Sequence, residues 1–318
     1  MTLDELRALR DRIAAEIEKA VQGQAAVVEL LLVSLFARGH CLIEGPPGTA
    51  KTLLAQSLAA ALSLEFKRIQ FTPDLMPGDV IGSNIYDFGS RQFELVKGPI
   101  FTDILLSDEI NRAPPKTQAA LLQVMNERRV TIDGTDHSVG AVFFVVATQN
   151  PIEQQGTYPL PEAQLDRFLF KLEIDFPEEE AEFSILRRHA GQPLDHDARK
   201  AAILPTAGLE EIRKGQELVD AIRLDDEILR YVLALARATR ADVDIAYGVS
   251  TRAADGLCGA VRARAALDGR DYAIPDDVKL LFRPTMRHRI VLSPTAEIEG
   301  RSPDSVLSAI IEQIPAPR

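Results

Sequence analysis

The chain has 318 residues, of which 46% are hydrophobic and 26% charged, and its formal net charge is −11 at pH 7. This composition is typical of a globular protein with a sizeable core, and it excludes a disordered or collagen-like chain. At ~100–200 residues per domain, the length allows two ordinary domains or one large one. The acidic balance disfavours a chain-wide nucleic-acid-binding role, so no nucleic-acid partner is expected.

The cysteines and the amino terminus indicate the compartment. Cys41 and Cys258 have no metal-ligand spacing, and we interpret both as small buried side chains in a reducing environment. The first residues, MTLDELRALRDR, lack the layout of a signal peptide. No apolar run approaches the ~20 residues that span a bilayer. The sequence therefore predicts a cytoplasmic protein without a transmembrane segment.

The first half of the chain has the pattern of an α/β fold. Helical periodicity predicts two helices at the start, over residues 3–21 and 25–38. Short apolar runs, each of strand length, then follow at residues 40–44, 66–71, 102–107, 141–148 and 168–174. Helical patterns over residues 52–62 and 116–127 separate some of them. Because several runs have no polar face, they predict a mainly parallel sheet of five strands with helices on both sides.

Two segments between these strands have their own character. Residues 72–99 contain several Pro and Gly and are too long for a plain loop, so we expect local structure there. Residues 128–139 predict a hairpin, because alternating Val130 and Ile132 precede an Asp-Gly turn at Asp133.

Helical periods dominate the rest of the chain. They occur at residues 178–189, 209–221, 227–239, 251–267 and 274–282. No strand signal of comparable quality follows Pro177. The economical interpretation is an α/β domain over residues 1–176 and an all-helical domain over residues 177–318.

A phosphate-binding loop follows the first predicted strand. The segment GPPGTAKT, from Gly45 through Gly48, Thr49, Ala50 and Lys51 to Thr52, opens a helix. Backbone N–H groups at a helix N-terminus bind phosphate oxygens, a Lys here reaches the β- and γ-phosphates, and the following hydroxyl can bind Mg²⁺. The strict pattern has Gly at position 50. Because only the backbone N–H is required there and Ala has a small Cβ, we expect Ala50 to be tolerated. The alternative is a Gly/Pro turn before a helix with a solvated lysine.

Polar side chains follow two later strands. Ligands of a doubly wound sheet lie beyond the carboxyl ends of its strands, where Asp108, Glu109 and Asn150 are expected. Asp108 is the candidate holder of Mg²⁺ opposite Thr52, and Glu109 can polarise a water for attack on the γ-phosphate. Asn150 could hold that water or touch the γ-phosphate. Alternatively, the acids merely start the next helix, and Asn150 opens an Asn-Pro turn.

Four segments together resemble the MoxR-type AAA+ ATPases of the helix-2 insert clade: GPPGTAKT, LLSDEINRAPPKTQAALLQVMNERRV, FFVVATQNPIEQQGTYPLPEAQLDRF and YGVSTRA. The similarity runs from about Val21 to the final helices, and at this level Ala50 is no departure. The resemblance implies a P-loop AAA+ core with strand order 5-1-4-3-2, a helical lid, and assembly into rings, usually hexamers. It also implies that residues 72–99 are the helix-2 insert and 128–139 the hairpin before the sensor strand. Both would face the ring pore or the client.

The resemblance further assigns roles to residues around the nucleotide. Val21, Gly23 and Gln24 would lie near the adenine, and Asn150 matches the sensor 1 position. Arg112 is suggestive as a subunit-contact residue.

Two further arginines match motifs of the family. Arg167 matches the arginine finger, which reaches the ATP of the neighbouring subunit, and Arg252 matches sensor 2, a lid residue that contacts the nucleotide of its own subunit. The alternatives are an Arg167 paired with Asp166, and an Arg252 in the first turn of a helix capped by Ser250.

The function implied is hydrolysis of ATP, with Mg²⁺, at a subunit interface, coupled to chaperone-like remodelling of a client protein. Family members often work with a von Willebrand factor A domain protein, which here would be a separate chain. A magnesium-chelatase-like motor subunit and a nucleic-acid-dependent motor are alternatives; the acidic balance and the lack of a basic stripe argue against the latter. A non-hydrolysing switch is disfavoured by the set formed by Asp108, Glu109, Asn150 and Arg167.

Overall fold

The first part of the chain alternates helices and strands, as predicted. A computed structural model describes residues 1–151, 156–189 and 202–317. Its elements up to residue 173 are α1 (Leu3–Glu18), α2 (Ala25–Phe36), β1 (Cys41–Glu44), α3 (Lys51–Leu62), β2 (Phe66–Gln70), α4 (Pro77–Ile81), β3 (Gly82–Asp87), β4 (Gln92–Lys97), β5 (Ile104–Asp108), a 3₁₀ turn (Ile110–Arg112), α5 (Pro115–Glu127), β6 (Arg129–Ile132), β7 (Thr135–Ser138), β8 (Phe144–Gln149), α6 (Glu162–Leu165) and β9 (Phe170–Glu173).

The central sheet has five strands, all parallel, in the order β2-β5-β8-β1-β9. Numbered along the chain, these strands have the spatial order 5-1-4-3-2, which confirms the expected topology. Because every strand runs the same way, all carboxyl ends lie at one edge of the sheet and all amino ends at the other. We call these the carboxyl edge and the amino edge.

Helices cover both faces of the sheet, which explains the continuous apolar runs in the sequence. All residues of β5 are buried, and β8 is buried up to its last residue. Side chains alternate between two cores: Ile43 and Leu106 pack with α1 to α3, whereas Leu42 and Leu105 pack with α5. Cys41 and Cys258 are both buried and unbonded, as expected.

The two segments between strands have local structure, as predicted. Residues 72–99 form the short helix α4 and an antiparallel hairpin of β3 and β4. Strands β6 and β7 form the second hairpin, in which Asp133 and Gly134 both have positive φ, the geometry of a tight two-residue turn. Asn84 Nδ2 donates to Asp133 Oδ2 at 2.8 Å, so the two hairpins lie side by side.

The described residues beyond β9 are mainly helical, with one small ladder and one isolated bridge between Arg223 and Tyr272. Their elements are α7 (Glu179–His189), α8 (Leu209–Ala221), α9 (Asp226–Ala241), β10 (Ile245–Tyr247), α10 (Thr251–Leu267), α11 (Pro275–Met286), β11 (Val291–Leu292), α12 (Pro294–Ile298) and α13 (Pro303–Gln313). β10 and β11 pair antiparallel, so an all-helical description is incomplete there. Strands this short cannot produce a recognisable period of two. Among the described helices, none is both long and apolar enough to cross a membrane.

The lid helices, α8 to α13, pack directly on the first two helices. Gly215 of α8 faces Phe36 and Leu6, and its backbone lies so close that an added Cβ would stand 2.4 Å from the Phe36 ring. One hydrophobic core therefore continues from α1, α2 and α3 into the lid. Helices α1 and α2 end at Glu18 and Phe36, earlier than predicted. Arg38 has the left-handed conformation typical of a residue after a helix end.

Gly215→Ala should destabilise the protein by about 1–3 kcal/mol, because the new methyl group overpacks against buried Phe36. Gly259→Ala is the matched control in α10, since nothing lies within 4 Å of its added Cβ. There the helix propensity of alanine should stabilise by up to about 1 kcal/mol. Urea unfolding of both variants measures the difference. Equal stability of the two would contradict the close packing of α8 on α2.

Candidate nucleotide site

The loop between β1 and α3 has the geometry of a phosphate cradle. Lys51, the first residue of α3, folds back so that its Nζ donates to Gly45 O at 2.6 Å and Pro46 O at 2.7 Å. Thr49 Oγ1 donates to Pro46 O at 2.9 Å. Burial lowers the pKa of Lys51, and the carboxylates of Asp108 and Glu109 oppose this shift. The Lys51 ammonium, the Thr49 hydroxyl and the N-terminus of α3 therefore lie together in this loop.

Close packing at Gly45 and positive φ at two other positions explain which residues of the phosphate loop must be small. A Cβ on Gly45 would stand 2.2 Å from Ile174 O, and Gly48 has φ +86°. Ala50 has φ +62°, the left-handed region in which a Cβ costs roughly 1–2 kcal/mol. On the sequence alone, the glycine of the strict pattern is explained by its small size. The positive φ is the additional constraint, and Ala50 meets it with some strain.

Asp108, at the end of β5, lies at the centre of a polar network. Its Oδ1 accepts from Thr148 Oγ1 at 2.5 Å, and its Oδ2 lies 3.3 Å from the donor Thr52 Oγ1. Arg68 Nη2 also donates to Oδ2, at 2.7 Å. Glu109 N donates to Thr148 Oγ1 at 2.9 Å, so the same threonine connects both acidic residues.

The sequence analysis did not identify Arg68 or Thr148. Strand register is what brings Arg68 to Asp108. In the parallel pair of β2 and β5, Gln70 lies opposite Asp108 and Arg68 lies opposite Leu106. Arg68 therefore lies on the same face as Asp108, on the neighbouring strand. That pairing is not local, so it could not be seen along the chain.

Glu109 has a strained backbone and a fixed side chain. Its φ is +55°, which is uncommon for a residue with a side chain and clusters at functional sites. Its Oε2 lies 3.1 Å from Arg112 Nη1. Arg112, which the sequence analysis considered a subunit contact, thus holds the carboxylate of Glu109 within the same chain.

These groups line one cavity of about 600 Å³ at the carboxyl edge. Its lining consists of Pro47, Gly48, Thr49, Ala50, Lys51, Thr52, Leu53, Gln56, Arg68, Gln70, Asp108, Glu109, Thr148, Gln149 and Asn150. The predicted phosphate loop, acidic pair and Asn150 are therefore brought together. Residues 152–155, part of the third resembling segment, lie outside the described residues.

The donor set fits Mg²⁺ held together with a nucleotide. Mg²⁺ is usually bound through one or two carboxylates plus substrate phosphates rather than by an all-protein cage. Here the hydroxyl of Thr52 and the carboxylate of Asp108 face each other beside the phosphate loop. No group of three or more His, Cys, Asp or Glu in the described part of the chain could hold a metal ion.

The residues expected near the adenine lie at the same edge, beside β9. Gln24 Nε2 donates to Asp175 O at 3.3 Å, and an added Cβ on Gly23 would stand 3.1 Å from Ala181. Ile174 N donates to Glu44 O at 2.8 Å, which connects this region to the start of the loop. Val21 is buried. None of Val21, Gly23 and Gln24 lines the cavity itself.

Arg167 and Arg252 lie at the amino edge instead. Arg167 precedes β9, and its Nη1 donates to Leu122 O of α5. Arg252 Nη2 donates to Asn126 Oδ1 at 3.1 Å, near the end of α5. That end of α5 lies beside the amino end of β1, because His40 Nε2 donates to Met125 O at 3.1 Å.

Arg252 therefore lies away from the cavity of its own chain, where the predicted contact with that chain's nucleotide would be made. Strands of four to six residues at ~3.3 Å per residue separate the two edges by ~13–20 Å, beyond the reach of one side chain. Ser250 does cap α10, as the alternative proposed, since its side chain accepts from Ala253 N at 3.2 Å. Asp166 pairs with Arg289 at 2.7 Å and lies 4.0 Å from Arg252, rather than pairing with Arg167.

Ala50→Val should weaken nucleotide binding by roughly 5- to 150-fold, because a β-branched side chain at positive φ adds about 1–3 kcal/mol of strain to the loop. Ala50→Gly is the matched control and should bind as tightly as the natural chain, since glycine adopts this conformation freely. Titration with a fluorescent ATP analogue measures both affinities. Wild-type affinity in the valine variant would contradict the left-handed geometry at position 50.

Comparison with known proteins matches both parts of the chain. Residues 40–170 match the family described as "ATPase family associated with various cellular activities (AAA)", and residues 237–310 match the AAA lid domain. The chain is similar to a protein named chaperone MoxR1 from Mycobacterium tuberculosis, with 41% identity over 97% of this chain and 82% of that protein. Protein MoxR from Paracoccus denitrificans is 34% identical, over 97% and 96% of the two chains.

A solved structure supports the same assignment. The crystal structure of a Cytophaga hutchinsonii protein, provisionally described as an ATPase, superposes with a TM-score of 0.90 at 36% identity, covering 99% of this chain and 97% of that chain. The family models, the relatives of nearly full length and this fold agree with the cradle at the carboxyl edge. The chain belongs to the MoxR-type AAA+ ATPases: it binds nucleotide and is an ATPase.

Proposed function

We propose that this ATPase splits ATP at the interface between two of its copies and uses the cycle to remodel partner proteins. One observation supports the proposal above all. The cradle, acidic pair and Asn150 lie at the carboxyl edge of the sheet, whereas Arg167 and Arg252 lie at the amino edge. A head-to-tail contact between copies would bring the two edges together, and such contacts close into rings. We propose a hexamer.

Within one copy, the loop from Gly45 to Ala50 and Lys51 would bind the phosphates. Thr52 and Asp108 would hold Mg²⁺, which when bound neutralises phosphate charge. Glu109 would accept the proton of the attacking water, and Arg112 keeps its carboxylate in one orientation. Asn150, on the cavity wall, would position that water.

The neighbouring copy would supply Arg167 and Arg252. A planar guanidinium beside the γ-phosphate neutralises the charge that spreads over the transferring group. Arg252 would act from the same edge as Arg167. Its Nε lies 4.0 Å from the carboxylate of Asp166, the residue that precedes Arg167 in the chain. Turnover would then require assembly.

The hairpin of β3 and β4 supports contact with a client protein. Its aromatic side chains Tyr86, Phe88 and Phe93 are 39%, 86% and 72% exposed, and the two phenylalanine rings each pack edge-to-face against Tyr86. Exposed aromatic clusters of this kind mark protein-binding surfaces. The name of the Mycobacterium tuberculosis relative, a chaperone, is in accord with this role. We propose a separate von Willebrand factor A domain protein as adaptor.

We propose a working division into a nucleotide domain, residues 1–176, and a lid, residues 177–318. The continuous core between them implies that the lid shifts together with α1 and α2 rather than swinging freely. Work on a client would come from changes at the subunit interface.

Glu109→Gln should bind ATP with unchanged affinity but hydrolyse it about 10²–10⁴-fold more slowly, because an amide cannot accept the proton from water. Glu227→Gln, in the first turn of α9 and outside the lining of the cavity, is the matched control and should keep the natural rate. Phosphate release and fluorescent-nucleotide binding are the measurements. A normal rate in Glu109→Gln would refute the assignment of the base.

Arg167→Ala should abolish turnover in the assembled protein while nucleotide affinity stays the same, because the arginine acts on the neighbour. Lys51→Ala should be inactive for the opposite reason, since its own cradle is damaged. Mixing the two variants 1:1 should restore about a quarter of the wild-type rate, the share of random head-to-tail pairs with both edges intact. If the mixture stays inactive, the shared site is wrong.

A further inference from the structure

Arg289 of the lid makes a dense set of hydrogen bonds to the segment that carries Arg167. Its side chain is 6% exposed. It donates to Asp166 Oδ1 at 2.7 Å and to three backbone carbonyls of the segment, those of Asp166 at 3.1 Å, Phe168 at 2.7 Å and Leu169 at 3.1 Å. A further bond, at 2.5 Å, goes to Thr285 O in α11. The guanidinium thus joins the lid to the chain on both sides of Arg167.

A second lid side chain strengthens the same attachment. His288 is buried, and its Nε2 lies 3.0 Å from Phe168 O. The carbonyl groups of residues 166, 168 and 169 are therefore all bound by lid residues. The backbone of Arg167 has little freedom, and its side chain extends from a fixed base to Leu122 O on α5.

Charge connects Arg289 to the other arginine at this edge. Among the residues that the structure describes, Asp166 is the carboxylate within ion-pair distance of Arg289. Its second oxygen, Oδ2, lies 4.0 Å from Arg252 Nε. One carboxylate thus lies between two guanidinium groups. Because removing one partner of a buried charge pair leaves the other uncompensated, changing Arg289 alters the surroundings of Asp166 and hence of Arg252.

We propose that Arg289 is a positioning residue that holds Arg167 directly, and Arg252 through Asp166, in the orientation in which they reach the nucleotide of a neighbouring copy. The inference rests on the proposed function, since it requires that the two arginines act across the interface. Arg289 itself does not line the cavity of its own chain. Loss of Arg289 should therefore slow hydrolysis in the site of the neighbouring copy and leave nucleotide binding to its own chain unchanged.

Arg289→Lys tests this with a conserved charge. A single ammonium with three donors cannot reproduce the planar fork that binds Asp166, Phe168 and Leu169 at once. We expect kcat to fall at least about tenfold, with KM for ATP and the affinity for a fluorescent ATP analogue within twofold of wild type. Binding unchanged with slow turnover is the signature of an interaction that is made only in the transition state.

Mixed assemblies identify the edge that the substitution damages. A 1:1 mixture of Arg289→Lys with Lys51→Ala should recover activity towards a quarter of the wild-type rate, because the Lys51→Ala copies present intact arginines to intact cradles. A mixture of Arg289→Lys with Arg167→Ala should not recover, because both variants damage the same edge. A general folding defect would not distinguish these two mixtures.

Arg287→Lys is the matched control. Arg287 is two residues away, 13% exposed, and pairs with Glu173 at 3.0 Å and Asp304 at 2.5 Å, without contacting residues 166–169. It should lose comparable stability in thermal unfolding while keeping turnover near the wild-type rate. Asp166→Asn serves as a second test that leaves Arg289 in place: its amide oxygen can still accept the hydrogen bond, but the charge facing both arginines is lost. It should behave as Arg289→Lys does in both mixtures.

The outcomes separate this inference from the proposed function. If Arg167→Ala recovers with Lys51→Ala but Arg289→Lys does not, the positioning role is wrong and the shared site stands. If neither recovers, the shared site itself is wrong. Unchanged kcat in Arg289→Lys, or loss of its own nucleotide binding, would also overturn the positioning role, the latter by showing a general structural role.

Discussion

The parallel direction of all five strands is the constraint on which the rest of this structure depends. It places every strand end that carries a phosphate ligand, an acidic side chain or Asn150 at one edge. By the same geometry it places the segment before β9, with Arg167, at the opposite edge. The cavity with its polar side chains and the segment with Arg167 therefore cannot meet within one chain. This separation is the geometric basis of the proposed head-to-tail assembly.

Two strained residues and one ionic network lie together at the carboxyl edge. Ala50 and Glu109 both adopt positive φ, which the surrounding packing must support. At the same place Arg68, Thr52 and Thr148 contact the carboxylate of Asp108. The guanidinium of Arg68, on the neighbouring strand, offsets the charge of the buried Asp108 carboxylate, so this network is formed without a bound phosphate.

The lid organises the opposite edge. Its helices share one core with α1 and α2, and Arg289 and His288 bind the backbone around Arg167. The backbone around Arg167 is therefore held by the lid. Under the proposed shared site, a change in lid position in one copy would reach the phosphates of its neighbour through Arg167.

The sequence by itself determined the five strands, their order through the family resemblance, the hairpin of residues 128–139, and the cradle with Lys51, Asp108 and Glu109. Burial periodicity and loop chemistry are properties of neighbouring residues, which is why they can be recognised along the chain. The sequence did not reveal the ion pair of Arg68 with Asp108 or the hydrogen bonds from Arg289 to residues 166–169. Nor did it reveal the edge of the sheet at which Arg252 lies. These contacts depend on strand register and on how the lid packs, and they join residues that are 40 to 126 positions apart in the chain. Only the tertiary structure decides such contacts, since no local pattern encodes which distant surface a helix face meets.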